Sequence, residues 1–83
     1  MGEGEVEGGF DPKFREALEV AIDSGKIATS LLQRRLEVGY GRAAKIIDQM
    51  QEMGYVSEAD GNKPRKVLIT KEDFMQLVAN GVI

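Results

Sequence analysis

The chain is 83 residues long, with 11 Lys and Arg against 14 Asp and Glu, and it contains neither Cys nor His. That length holds one small domain with little room for a catalytic cleft. The two missing residue types exclude a disulfide framework, thiolate and imidazole chemistry, and Cys/His zinc sites.

The first stretch, MGEGEVEGGF, is Gly and Glu with little to bury and is expected to be a disordered acidic linker over residues 1–10. It is no signal peptide, and no apolar run nears the roughly 20 residues of a membrane span. A reducing, cytoplasmic setting and no membrane contact by this domain are therefore expected. Asp11-Pro12 predicts a helix start, with Asp11 as the N-cap and Pro12 at the first helical position. Phe14, Ala17, Leu18, Ala21 and Ile22 form its apolar stripe, and Ser24-Gly25 ends it. Lys26-Ile27-Ala28 reads as a brief extended segment.

Ser30 and Gln33 have the spacing of a capping box opening a second helix, with Leu32 and Leu36 inward and Gln33, Arg34 and Arg35 outward. Val38-Gly39-Tyr40 breaks the run, with Gly39 free to take a positive φ. A third helix is predicted from about Tyr40 to Met53. Its buried face is Ala43, Ile46, Ile47, Met50 and Met53, and Gly41, Arg42, Lys45, Asp48 and Glu52 fall on the other side. Gly54 terminates it.

Tyr55-Val56-Ser57 and Lys66-Val67-Leu68-Ile69 read as two strands of a hairpin whose tip is Asp60-Gly61-Asn62. A two-stranded hairpin is marginal alone, so it is expected to pack on the helices with a third pairing from residues 26–28. Thr70, with Asp73 three residues on, caps a last helix whose apolar face is Phe74, Leu77 and Val78, closed by Asn80-Gly81.

The net charge of −3 hides strong segregation. Residues 26–45 carry +4 and residues 60–71 carry +3, whereas residues 1–25 carry −5. Such blocks could be ordinary surface mixing, or a local basic surface acting within a Debye length of about 8–10 Å. Two short helices around a tight turn fit a helix-turn-helix, although short helical hairpins also occur in bundles that bind nothing. The order helix, strand, helix, turn, helix, hairpin, helix is that of a winged helix, an α+β fold expected to fill residues 11–83.

The residues LLQRRLEVGYGRAAKIIDQMQEMGYVSE, followed by KPRKVLITKEDF, closely resemble the C-terminal gamma domain of the FtsK/SpoIIIE family of bacterial DNA translocases. The similarity runs from about Phe10 to Phe74. Its pattern, QRR-x-x-x-GY-x-RAA-[RK]-x-I-[DE]-x-M continuing into G-x-V-S, is far more specific than a generic helix-turn-helix. The KPR-x-VL form looks more like the SpoIIIE branch.

The resemblance implies a DNA-binding winged helix tethered to a hexameric ATPase motor. In that family the domain recognises short, G-rich, polarised octamers in double-stranded DNA. These orient loading and translocation of the motor in chromosome segregation, at cell division and in sporulation, with the parent protein anchored in the membrane at the division septum. The implied partners are double-stranded DNA, the motor domain and, as in proteobacterial members, a tyrosine recombinase, with several copies on one DNA site. This chain has no G-x-x-x-x-G-K-[ST] loop, so it is not expected to be an enzyme. It should need no cofactor of its own, ATP and magnesium belonging to the motor of a longer parent chain.

By the same resemblance the base-contacting positions are Gly41, Lys45 and Asp48, with Arg42 beside them. Gly41 stands where many members carry Asn and has no side chain to read a base edge. Lys45, where Arg is frequent, can donate to guanine O6 and N7, and Asp48 can accept from cytosine N4 or orient Lys45. Gln33, Arg34, Arg35 and Tyr40 are expected at the DNA backbone. Arg65 would approach the groove edge from the wing, with Lys63 and Lys66 nearby.

Each role has a plainer competitor. Lys45 and Asp48 could be an exposed i,i+3 ion pair. Arg34 and Arg35 could be solvated charges, and Tyr40 reads first as a turn anchor packed on the core. At the level of the whole domain, a stand-alone transcriptional regulator and a protein-docking winged helix compete with a translocase DNA-binding domain.

Overall fold

Phe14, Ala17, Leu18 and Ala21 recur at steps of three and four, the spacing of one helical face. They are the residues that helix α1 (Phe14–Ser24) buries. The computed structural model describes residues 10–83, so the linker expected over residues 1–10 lies outside the described residues apart from Phe10. Phe10 itself stacks on Phe14, with ring centroids 4.3 Å apart and 15° between planes.

The start of α1 corrects the sequence expectation. The N-cap position is Lys13, without a side-chain cap, and Asp11-Pro12-Lys13 form a turn ahead of the helix. The Asp11 Oδ1 accepts from the Lys13 backbone N–H at 2.8 Å, and the Asp11 carbonyl accepts from that of Phe14 at 2.8 Å. The carboxylate is thus held outside the helix axis, where a distant side chain takes up its remaining acceptor capacity.

Strand β1 (Lys26–Ile27) follows Gly25 directly, and helix α2 (Thr29–Leu36) follows β1 after the single extended residue Ala28. Ala28 occupies the N-cap, and no side chain caps α2. The Ser30–Gln33 capping box is therefore not formed: with Thr29 already helical, the Ser30 hydroxyl sits inside the first turn. The positive φ in the following turn also falls elsewhere than expected. Gly39 is extended, with φ −74° and ψ 166°, whereas Glu37 is left-handed with φ 56°.

A non-glycine residue held there costs roughly 1–2 kcal/mol, part of which a glycine would give back by being freer in the unfolded chain. Glu37→Gly is therefore expected to stabilise the domain by about 0.5–1 kcal/mol, read as a higher urea midpoint at unchanged slope.

Helix α3 (Tyr40–Glu52) buries Ala43, Ile46, Ile47 and Met50. Met53, expected on this face, is 43% exposed because the helix stops one residue earlier and Met53 becomes its C-cap. Strand β2 (Arg65–Lys66) pairs antiparallel with β1, Lys26 opposite Lys66 and Ile27 opposite Arg65. This is the third pairing that the sequence suggested.

On its other side the chain after β2 meets the 55–57 segment through a Val56–Val67 bridge, with Ser57 N–H to the Lys66 carbonyl at 2.9 Å and Leu68 N–H to the Tyr55 carbonyl at 2.8 Å. The expected strand 66–69 is thus displaced and shortened. The Leu68 N–H makes the last bond to the 55–57 segment, Ile69 and Thr70 lead to the last helix, and Pro64, lacking an N–H, limits the other end.

Helix α4 (Lys71–Ala79) opens as expected. Thr70 Oγ1 accepts from the Asp73 backbone at 3.1 Å, and Asp73 Oδ2 accepts from the Thr70 backbone at 2.9 Å, the reciprocal capping box. Among the described residues four helices and a two-stranded antiparallel sheet make an α+β domain whose core joins Phe14, Leu18, Ile27, Leu32, Ile46, Met50, Tyr55 and Phe74. Its effect on the site is simple: α3 lies with one face sunk in this core and the other in water.

Candidate nucleic-acid interface

At about 100° per residue, the buried positions of α3 leave Gly41, Lys45, Asp48 and Glu52 along its outermost line, and all four are exposed. Nothing packs over Gly41: a Cβ placed there would meet no heavy atom within 4 Å. The ridge is therefore bare at its first turn, and Lys45 is the first long side chain on it.

One flank of this ridge faces the loop between residues 57 and 66. Between them lies an open groove of about 370 Å³, lined by Tyr40, Ala44, Ile47 and Asp48 of α3, by Ile27 to Thr29, and by Gly61, Asn62, Lys63 and Arg65 of the loop. Lys63 stands at the loop tip, 3.8 Å from Asp60, with both side chains largely in water. Tyr40, expected to anchor the turn on the core, is 65% exposed at the mouth of the groove instead. It opens α3 at the first turn, before the helix has sunk against α2.

Arg65 crosses the groove floor and lies against α3. Its Nη1 donates to Gln51 Oε1 at 2.7 Å, and its Nη2 is 3.8 Å from Asp48 Oδ1. Its side chain is only 18% exposed. Asp48 is thus tied to the loop. Among the described residues no carboxylate lies within 4.0 Å of Lys45, so the i,i+3 pair with Asp48 is not made.

Lys66 is exposed next to Arg65 in β2, and successive strand residues point to opposite faces, so it is directed away from the groove that Arg65 enters. Arg34 and Arg35 are exposed on α2, and Gln33 is half-buried; none of the three lines the groove.

The other flank of α3 carries a contact that the sequence did not suggest. Arg42 Nε donates to Asp11 Oδ2, and Arg42 Nη2 to Asp11 Oδ1, both at 2.8 Å, across a separation of 31 residues. The Arg42 guanidinium beside Asp11, together with the Lys13 N–H, holds the Asp11 carboxyl below the usual carboxylate range, while partial burial opposes this. The same hydrogen bond raises the Arg42 guanidinium. No local pattern announces Asp11 as part of this site, because the partners come together only when α1 packs on α3. Gln51, which steadies Arg65, reads in sequence merely as a polar position on α3.

Among the described residues no group of three or more acidic side chains is placed to hold a metal ion, and no helix is long and apolar enough to cross a membrane. The arrangement offers hydrogen-bond donors and cations on a protruding helix beside a groove, which suits surface recognition.

Residues 8–70 match the family described as the Ftsk gamma domain. The DNA translocase FtsK of Clostridium tetani is 51% identical over 65 residues, covering 78% of this chain and 9% of the relative. The DNA translocase SftA of Bacillus subtilis is 49% identical over 65 residues, covering 78% of this chain and 7% of the relative. The DNA translocase SpoIIIE of Bacillus subtilis is 43% identical over 67 residues, covering 81% and 8% respectively. The chain thus spans under a tenth of the length of these relatives, and over that span its sequence places it in the FtsK gamma domain family.

Proposed function

We propose that the chain is a winged-helix domain that reads short, G-rich, polarised sequences in double-stranded DNA and so gives direction to a DNA-translocating ATPase motor. The observation that carries this reading is the bare outer line of α3, Gly41, Lys45 and Asp48, flanked by a groove whose far wall is the 57–66 loop with Lys63 and Arg65. A major groove admits one α-helix. α3 is the helix this reading places there, because its exposed line with Lys45 runs beside the groove and the basic loop, and the loop plays the part of the wing.

In this reading Lys45 donates to guanine, and Asp48, 3.8 Å from Arg65, accepts from a base edge. Arg65 sets the angle between wing and helix, with Lys63 at the backbone beyond it. Arg34, Arg35, Gln33 and Tyr40 meet phosphates, which position the domain without specifying sequence. Lys66 lies on the far face of β2 and contributes only to the general field. ATP hydrolysis belongs to a motor elsewhere in a longer parent protein, since these 83 residues contain no phosphate-binding loop. A single module covers on the order of 600–1,000 Å², so several copies on adjacent sites would raise affinity.

The test is a titration against a fluorescent duplex carrying a G-rich polarised octamer and against a scrambled duplex, at near-physiological salt. A preference of tenfold or more, about 1.4 kcal/mol, is expected. Equal binding would reduce the domain to a non-specific DNA binder. Failure to bind either duplex would favour docking to a protein such as a recombinase.

A further inference from the structure

Arg42 could stand in two relations to DNA. Bound to Asp11, it could be withdrawn from the interface, its charge spent within the protein. Alternatively, Asp11 could hold it ready. The hydrogen-bond pattern decides between these.

A guanidinium has five N–H groups in a fixed plane, and the two bonds to Asp11 come from Nε and Nη2. This side-on pairing leaves both hydrogens of Nη1 and one of Nη2 without an acceptor among the described residues. The Arg42 side chain is still 43% exposed, while that of Asp11 is 19% exposed. The carboxylate is therefore the covered partner and the guanidinium the presented one. Asp11 is itself fixed by the Lys13 N–H and by the turn into α1.

Arg42 is three residues before Lys45, about 60° round the helix, on the flank away from the groove. From there a side chain reaches the edge of whatever α3 enters. In a DNA complex that edge is a phosphate backbone.

We infer that Asp11 is a positioning residue that buttresses Arg42, so that the free Nη1 edge of its guanidinium clamps one phosphate on the side of α3 opposite the wing. Arg42 is then a backbone contact, and its neighbour Lys45 alone reads bases at this turn. The benefit is one of preorganisation. A free arginine loses much rotamer entropy when it docks, whereas a guanidinium already held by two bonds loses little. The inference rests on the DNA-binding reading above.

The experiment measures affinity for a random-sequence duplex over a range of salt, so that no particular octamer is needed. It uses the 83-residue chain and its Asp11→Asn, Asp11→Ala, Arg42→Ala, Arg42→Lys and Asp11→Ala/Arg42→Ala variants, each checked by thermal melting to be folded at the working temperature. Arg42→Ala is expected to weaken binding about three- to tenfold and to lower the salt slope by about 0.9, one phosphate. Arg42→Lys keeps the charge but cannot make both contacts, so it is expected to restore only a minor part.

The decisive variants are those at Asp11. Removing a negative charge beside DNA should by itself raise affinity, yet Asp11→Ala and the isosteric Asp11→Asn are expected to weaken it. Once Arg42 is Ala, Asp11→Ala is expected to cause no further loss, and only the small gain from the removed charge. Tighter or unchanged binding by the folded Asp11 variants, or additive losses in the double variant, would overturn the buttress. A wild-type chain that binds no duplex would instead overturn the DNA reading, and this inference with it.

Discussion

Phe14→Ala is expected to lower the free energy of unfolding by about 3–5 kcal/mol. A domain of this size has on the order of 4–11 kcal/mol in total, so the loss takes a large part of it. The reason lies in what the ring joins. Phe14 is 1% exposed, stacks on Phe10 at 4.3 Å, and meets the Tyr55 ring at 6.3 Å and 51°. It also stands between the core and a surface cleft of about 540 Å³ lined by Phe10, Pro12, Val82 and Ile83 among others.

Truncation to Ala would open that cleft onto the core and let water reach Leu18, one turn along α1, and Tyr55. The surrounding chain has little with which to close the gap. Phe10 is held by the Asp11 turn, and the chain end is held by Arg15, whose Nη2 donates to the Ile83 carbonyl at 3.1 Å. Urea unfolding checks this: the midpoint should fall steeply at unchanged slope. A loss below about 1 kcal/mol would mean that Phe10 had moved into the vacated volume.

Phe14 also marks what the sequence makes legible. The stripe of Phe14, Ala17, Leu18 and Ala21, the inward face of α3 as far as Met50, and the Thr70–Asp73 box are all encoded within one or two helical turns, so periodicity and spacing reveal them. The outer line of α3 follows from the same periodicity by subtraction.

What the sequence concealed depends on contacts between distant segments. Asp11 looks like an N-cap because Asp-Pro is a common helix start, yet it lies two residues ahead of the N-cap position Lys13, and its carboxylate, besides the local Lys13 N–H, accepts two charge-assisted bonds from Arg42, 31 residues away. Ser30 has the spacing of a capping residue, but the chain enters α2 two residues sooner, at Thr29, with Ala28 in the N-cap position. Glu37 carries the left-handed turn that a neighbouring glycine was expected to supply, because the turn is set by how α2 and α3 pack and Gly39 falls outside the bend. Arg65 reads as a free wing cation, and only the fold shows Gln51 and Asp48 holding it down.

Lys45→Ala is expected to remove sequence discrimination worth about 1–3 kcal/mol, while leaving affinity for random duplex much less affected. Three features concentrate the effect on this residue. Gly41, one turn earlier on the same line, has no side chain, so nothing there can substitute. Asp48, one turn later, lies 3.8 Å from Arg65 and is an acceptor, so it cannot replace a donor to guanine. Arg42 lies off the line and is anchored to Asp11.

Lys45 itself has no carboxylate within 4.0 Å among the described residues, and so gives up no ion pair to them on binding. A rigid Arg at the same place would read guanine with two parallel bonds. Lys45→Arg is therefore expected to retain the G-rich preference where Lys45→Ala loses it, with the same melting temperature for both. Competition between octamer and scrambled duplexes measures the difference directly. An Ala variant that still prefers the octamer would move base reading away from Lys45 to the groove beside α3, where Asp48, Asn62, Lys63 and Arg65 are among the polar groups able to supply it.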